Sequence, residues 1–135
     1  MPGLARFGRE WWEADGLDAE PFDEQCFVHH LFVHLKLGTI LVLKRAGIIQ
    51  GFISIILGPN PFTGSLSASK GFWYTTPEAA GYGAYLLAEA ERWAKLAGAR
   101  NFECAVPKER AARLLEQRGY LAREWAFRKP LWQNS

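Results

Sequence analysis

Cysteine is scarce in this 135-residue chain, with only Cys26 and Cys104. Two thiols cannot build a disulfide framework, and these two lack the spacing of metal ligands, so they read as buried thiols of a reducing compartment. Long apolar runs are missing too. None approaches the ~20 residues that span a bilayer, and the N-terminus lacks the basic and apolar regions of a signal peptide; the expectation is a soluble, cytoplasmic protein with no membrane partner. Repeats, low-complexity tracts and linkers are also absent, which suits a single domain over residues 1–135. A net charge of +2 gives no reason to expect nucleic acid. The histidines are few, and His30 and His34 lie four apart in HLFVH, which lacks the glutamate of a zinc-protease helix and any third ligand, so no metal is expected.

The chain has apolar residues in quantity, and 49% hydrophobic content is enough for a core rather than a disordered chain. Its charges are unevenly spread: residues 1–91 carry 6 basic and 10 acidic side chains, residues 92–135 carry 10 and 4. A basic C-terminal part favours a phosphorylated ligand. The acidic series Glu10, Glu13, Asp15, Asp18, Glu20, Asp23 and Glu24 favours a cationic one, although solvated helix faces would give the same pattern.

Apolar periodicity places the elements. Leu4, Phe7, Trp11 and Ala14 recur at helical spacing, with Gly16 as the stop. A second helix is predicted from about Asp23 to Leu37, with Phe27, Val28, Leu31, Phe32 and Leu35 on one face and Gly38 beyond its end. His34 lies at the border of that face, while His29 and His30 point away, so His34 is the histidine to consider for proton transfer. TILVLKR, an Ala46-Gly47 turn and IIQGFISIIL read as a hairpin, GPNPFTGS as a loop, and LSASKGFWYTT as a third antiparallel strand.

The stretch FWYTTPEAAGYGAYLLAEAERWAKLAG, from Phe72 to Gly98, reads as strand, glycine turn and helix. Leu86, Ala90, Trp93 and Ala97 form the buried stripe of that helix. Gly81 and Gly83 leave the backbone bare, so amides at the helix start are placed to meet an anion such as a pyrophosphate. Next come a crossover strand over Asn101–Val106, a helix opened by Pro107 with Ala111, Leu114 and Leu115 inward and Gly119 at its end, and a last strand from Tyr120 to Lys129.

This order, with Tyr74, Thr75, Thr76 and Pro77 ahead of the glycine turn, ERWAKLAGARNFEC after it and LLEQRGY further on, resembles the GCN5-related N-acetyltransferase (GNAT) family. The likeness runs from about Thr39 to Leu131 and is similar to small members, some phage-encoded, that lack the usual leading strand. The resemblance implies an α/β (α+β) acyl-CoA N-acyltransferase fold, a mixed but mostly antiparallel sheet with about four helices. It implies acetyl-CoA as cosubstrate, no metal, and an amine acceptor on a small molecule or protein. The protein would be cytoplasmic, or in the virion if phage-encoded. It also implies that Tyr74, Thr75, Thr76, Ala80, Gly81, Tyr82, Gly83, Ala84 and Lys108 meet the cofactor.

This chain departs from the family pattern at definite positions. The loop's arginine or glutamine falls on Ala80 in one register and on Glu78 in the other; in the second, a carboxylate 4 Å from a phosphate would cost on the order of 4 kcal/mol at an effective dielectric of about 20. The strand before the turn offers Ser67, Ser69 and Lys70 but no carboxylate to act as base, and the acid's tyrosine falls on Leu115. Candidate substitutes are Glu103, His34 and Tyr120. Two other readings stand beside the enzyme. One is a catalytically silent protein of this fold that meets a partner or its own copies through exposed aromatics such as Trp11, Trp12 and Trp132. The other is a dinucleotide-binding module, disfavoured because the third glycine is missing and three antiparallel strands precede GYGAYL.

Overall fold

A computed structural model describes residues 2–15, 20–106, 109–124, 126, 127, 129 and 131. Gly16, Pro107, Lys108, Trp125 and Trp132 lie outside the described residues. The chain groups into two compact units, Met1–Ala105 and Val106–Ser135.

The first unit runs α1 (Pro2–Asp15), α2 (Glu24–Leu37), β1 (Gly38–Arg45), β2 (Ile48–Pro59), β3 (Leu66–Thr75), a 3-10 helix (Pro77–Tyr82), α3 (Gly83–Leu96) and β4 (Asn101–Glu103). Asp23 starts α2 by accepting a hydrogen bond from the Cys26 amide at 2.9 Å, which satisfies one of the orphan donors of the first turn. The strands form one sheet in the order β1-β2-β3-β4, antiparallel except for the β3–β4 pair. The parallel pair follows from the α3 crossover, since strands joined through a helix run the same way.

Alternation along β2 divides the core. Phe52 joins Leu4 and Phe7 of α1 and Leu31 of α2 in one buried cluster, with Phe27, Ile40, Ile49, Phe72 and Tyr74 packed against it. Ile53 and Ile55 are fully buried on the opposite face. Trp73, paired with Ile53, approaches Gly83 at the start of α3, so this second face belongs to α3 and its Leu86, Leu87, Ala90 and Ala94. Full burial of a Phe, Leu or Ile contributes about 1.5–3 kcal/mol relative to exposure, so these two layers hold the sheet.

Several sequence expectations need correction. The buried residues of α2 are Leu31 and His34, with Phe27 partly buried beside them, whereas Phe32 and Leu35 are 54% and 45% exposed. In α3 the stripe passes through Ala94 rather than Trp93 and Ala97, because Ala97 already caps the helix. Cys26 is exposed in the first turn of α2, and Cys104 is half-buried. Trp12 is partly buried, and its indole N–H donates to the Glu20 carbonyl at 2.8 Å. The crossover strand has three residues only, Asn101–Glu103.

The second unit contains α4 (Glu109–Gln117) with Leu115 buried. Gly119 adopts φ 91° just past its end, the left-handed conformation that glycine tolerates best, and the Tyr120 amide returns to the Leu115 carbonyl at 3.0 Å. No described residue beyond Tyr120 forms the expected last strand. Leu121 and Phe127 are 83% and 91% exposed, so the apolar alternation that suggested a strand is not buried at these positions. Among the described residues, no helix is long and apolar enough to cross a membrane.

Candidate functional site

The site begins where two parallel strands part. β4 pairs with β3 only through Ser67↔Asn101, Ala68↔Phe102 and Ser69↔Glu103. Beyond Ser69, β3 continues to Thr75, and no strand of the described residues pairs with it on that side. Six residues of main chain, about 20 Å at ~3.3 Å each, therefore offer one open edge. Glu103 is exposed at the mouth of this fork. Lys70 and Cys104 are the next residues along each strand and interact electrostatically. Burial lowers the Lys70 pKa, with Cys104 opposing, and burial pushes the Cys104 thiol up to about 11, with Lys70 opposing.

A β-bulge lies just above the fork. Ile53 pairs with Trp73 but Ile55 with Lys70, so Gly71 and Phe72 together oppose Ser54. The Phe72 amide donates to Ser54 Oγ at 2.7 Å, and Ser54 Oγ lies 2.9 Å from His34 Nδ1. His34 is 8% exposed, and burial first, His30 second, lower its pKa, which favours the neutral ring. A Cβ on Gly71 would sit 2.3 Å from Ser54 Oγ and 2.6 Å from the His34 ring. The bulge is thus pinned by a buried histidine and serine against a bare backbone. Such bulges re-aim a strand, and here the strand is re-aimed where β4 leaves it.

At its far end β3 enters the glycine junction. This segment is coiled as a 3-10 helix with Pro77 at its start, where the missing N–H costs nothing, and it runs directly into α3. The Gly83 amide donates to the Ala80 carbonyl, so one of the donors expected to be bare is used within the turn. Neither Gly81 nor Gly83 has a positive φ. Gly81 matters for space instead, since a Cβ there would meet nothing within 4 Å, and Ala80, Gly81 and Tyr82 are exposed. Arg45, at the end of β1, places its guanidinium 4.5 Å from the centre of the Tyr82 ring. A cation therefore stands beside the junction although the loop encodes none.

A separate cleft of about 550 Å³ opens toward α1, lined in part by Arg6, Glu10, Gln50, Tyr74, Thr76 and Glu78. The Tyr74 hydroxyl donates to Glu10 Oε2 at 2.6 Å and its ring packs on Phe7. Burial, the bond to Glu10 and the nearby carboxylates all raise the Tyr74 pKa, so it stays a neutral phenol. Glu78 belongs to this cleft, beside Tyr74.

No family model matches the chain, and no curated protein does. Solved structures do match. A Pyrococcus furiosus protein assigned a proposed acetyl transferase activity is 24% identical, with a TM-score of 0.75 over 96% of this chain and 93% of that one. A ribosomal-protein-alanine N-acetyltransferase from Brucella melitensis biovar Abortus 2308 is 17% identical, with a TM-score of 0.73 over 96% and 92%. A GNAT family acetyltransferase from Staphylococcus aureus is 18% identical, with a TM-score of 0.62 over 82% and 79%.

The chain has the GNAT acetyltransferase fold. Within this GNAT fold, Ala80, Gly81, Tyr82, Gly83 and Ala84 sit together at the junction, with Thr75 and Thr76 leading into it. Tyr74 faces α1 instead, through Phe7 and Glu10. Among the candidates for acid or base, Glu103 is at the fork, His34 is buried beneath the bulge, and Tyr120 is in the second unit. Arg45 and the Lys70–Cys104 neighbours were not foreseen as site groups. The only sequence signal for Lys70 was a charge inside an otherwise uncharged strand, and Arg45 gave none. Among the described residues no group of three His, Cys, Asp or Glu is placed to hold a metal ion.

Proposed function

We propose that this chain is an acetyl-CoA-dependent N-acetyltransferase. The observation that carries the reading is the fork: three paired residues, then an open β3 edge leading straight to an exposed junction at a helix start. Acetyl-CoA would supply an activated acyl thioester. Its diphosphate would rest on the accessible corner at Ala80–Ala84, where Gly81 leaves room and Arg45 contributes the positive charge that the loop lacks. Its arm would follow the unpaired main-chain groups of Lys70–Thr75. Glu103 would take the proton from the acceptor amine, since a base must stand within hydrogen-bond reach of the reacting nitrogen and Glu103 is at the mouth of the fork. His34 holds the bulge in shape rather than moving a proton. The acceptor is an amine on a small molecule or protein.

Calorimetry with acetyl-CoA and coenzyme A tests the reading, followed by an amine panel assayed for acetylation. Wild type is expected to bind both. Arg45→Ala is expected to weaken binding roughly tenfold or more, the cost of a charge-assisted contact to phosphate, with an unchanged circular dichroism spectrum. No heat at millimolar ligand ends the proposal. A second reading, a silent GNAT-fold binding protein, is favoured by the Gly83 amide being spent within the turn. Ligand binding without acetylation of any amine would select it.

A further inference from the structure

The other margin of the sheet carries a feature that, apart from Arg45 at its end, acyl transfer does not use. β1 is an edge strand, paired only with β2 among the described residues. Its first six residues, Gly38–Leu43, contain no charge and no proline. The irregularity in its pairing comes from an extra residue in β2, where Leu43 pairs with Gly51 but Lys44 with Ile49, so β1 itself is regular. An edge of this kind presents a row of main-chain donors and acceptors, and charges, prolines or bulges are the usual means of blunting it. None of these protects the first six residues of β1. Val42 is 44% exposed on it, and Leu37, the residue before the strand, is 50% exposed.

We infer that β1 pairs with β1 of a second copy of this chain, antiparallel, about a two-fold axis through Val42. Main-chain groups in a row are matched only by another extended strand, and a two-fold axis brings the same patch to itself. The charge pattern accepts that register. With Val42 opposite Val42 of the second copy, Leu43 faces Leu41, Lys44 faces Ile40 and Arg45 faces Thr39, so no two like charges are opposed. The central pair is apolar, the basic residues fall at the ends near solvent, and the ladder over Thr39–Arg45 is about 23 Å long at ~3.3 Å per residue. Two sheets of four strands would become one of eight. The fork lies at β3 and β4, away from this seam, and Arg45, the one group that β1 lends to the junction, falls at the outer end of the ladder.

Light scattering on the full chain across a concentration series tests this, and the expected mass is twice 15.2 kDa. Val42→Lys would set two ammonium groups against each other at the axis and is expected to return the monomer with an unchanged circular dichroism spectrum. In a Cys26→Ser background, Val42→Cys is expected to form a disulfide-linked dimer on mild oxidation. Thr39→Cys, whose opposite number is Arg45, is expected not to. A monomer at every concentration overturns the inference. So does a dimer that survives Val42→Lys, or one that Val42→Cys fails to cross-link, because either would place the contact on another face. None of these outcomes depends on acetyl-CoA binding.

Discussion

His34 is open in the sequence to two readings, a proton-transfer group or a partly buried structural histidine, and the fold sets it against the backbone. Its ring is wedged between Gly71, Phe72 and Ser54, with the Phe72 ring centre 4.9 Å away, and its Nδ1 faces Ser54 Oγ. The protonated ring would lose water there without gaining a carboxylate, and the His30 ring 6.5 Å away adds no relief. Because the folded pKa lies below the unfolded value of 6.5, the unfolded chain takes up more protons as the pH falls through and below that value. The stability associated with neutral His34 is therefore complete above the unfolded pKa and is lost on acidification toward the folded one. The thermal midpoint is expected to drop between about pH 7.5 and about pH 5.5, and in His34→Gln the drop should be smaller. An equal drop in both proteins would mean that other groups carry the pH dependence.

At the scale of elements, the β1–β2 hairpin is the clearest case of sequence determining shape. Ala46 and Gly47 have φ 52° and 79°, so both central residues of the two-residue turn are left-handed, as the twist of the hairpin demands. Gly47 meets this at no cost, while an alanine strains by about 1–2 kcal/mol in that region. Ala46→Asn, which suits the turn better, is expected to stabilise the protein by roughly 1 kcal/mol in urea denaturation, and a loss of stability would show the turn to be of another type. The hairpin, both N-terminal helices and α3 were legible because apolar spacing and turn residues are local signals. The face of α2 was misjudged because counting apolar residues gives weight to Phe32 and Leu35, whereas a polar pair, His34 with Ser54, occupies the buried position. The described residues of the predicted last strand do not form one for a related reason: alternation is a local signal, but a strand also needs a packed face, and Leu121 and Phe127 are exposed. The glycine junction read as an open turn because its composition gives no sign that Pro77 starts a 3-10 helix continuous with α3.

For the molecule as a whole, the fork was legible as a crossover strand, but the cation beside the junction was not. Arg45 reaches Tyr82 only because β1 and the junction are brought together by folding, which no loop motif records. The same holds for the charge asymmetry, visible in the sequence as an acidic first part and a basic second part without any indication of where the field acts. On the proposed reading, a diphosphate at Ala80–Ala84 would meet Arg45 at an exposed corner, where the dielectric is high and screening reaches everything beyond the contact distance. Two contributions to binding can be separated on this basis. Hydrogen bonds from main-chain amides are short-ranged and change little with ionic strength, whereas attraction to Arg45 weakens as the Debye length falls from about 10 Å at 0.1 M salt to about 3 Å at 1 M. Coenzyme A affinity is therefore expected to fall several-fold over that range, and Arg45→Ala should show a shallower dependence than wild type. An affinity indifferent to salt in both proteins would remove Arg45 from the phosphate site and leave the amides of the junction as the only anchor.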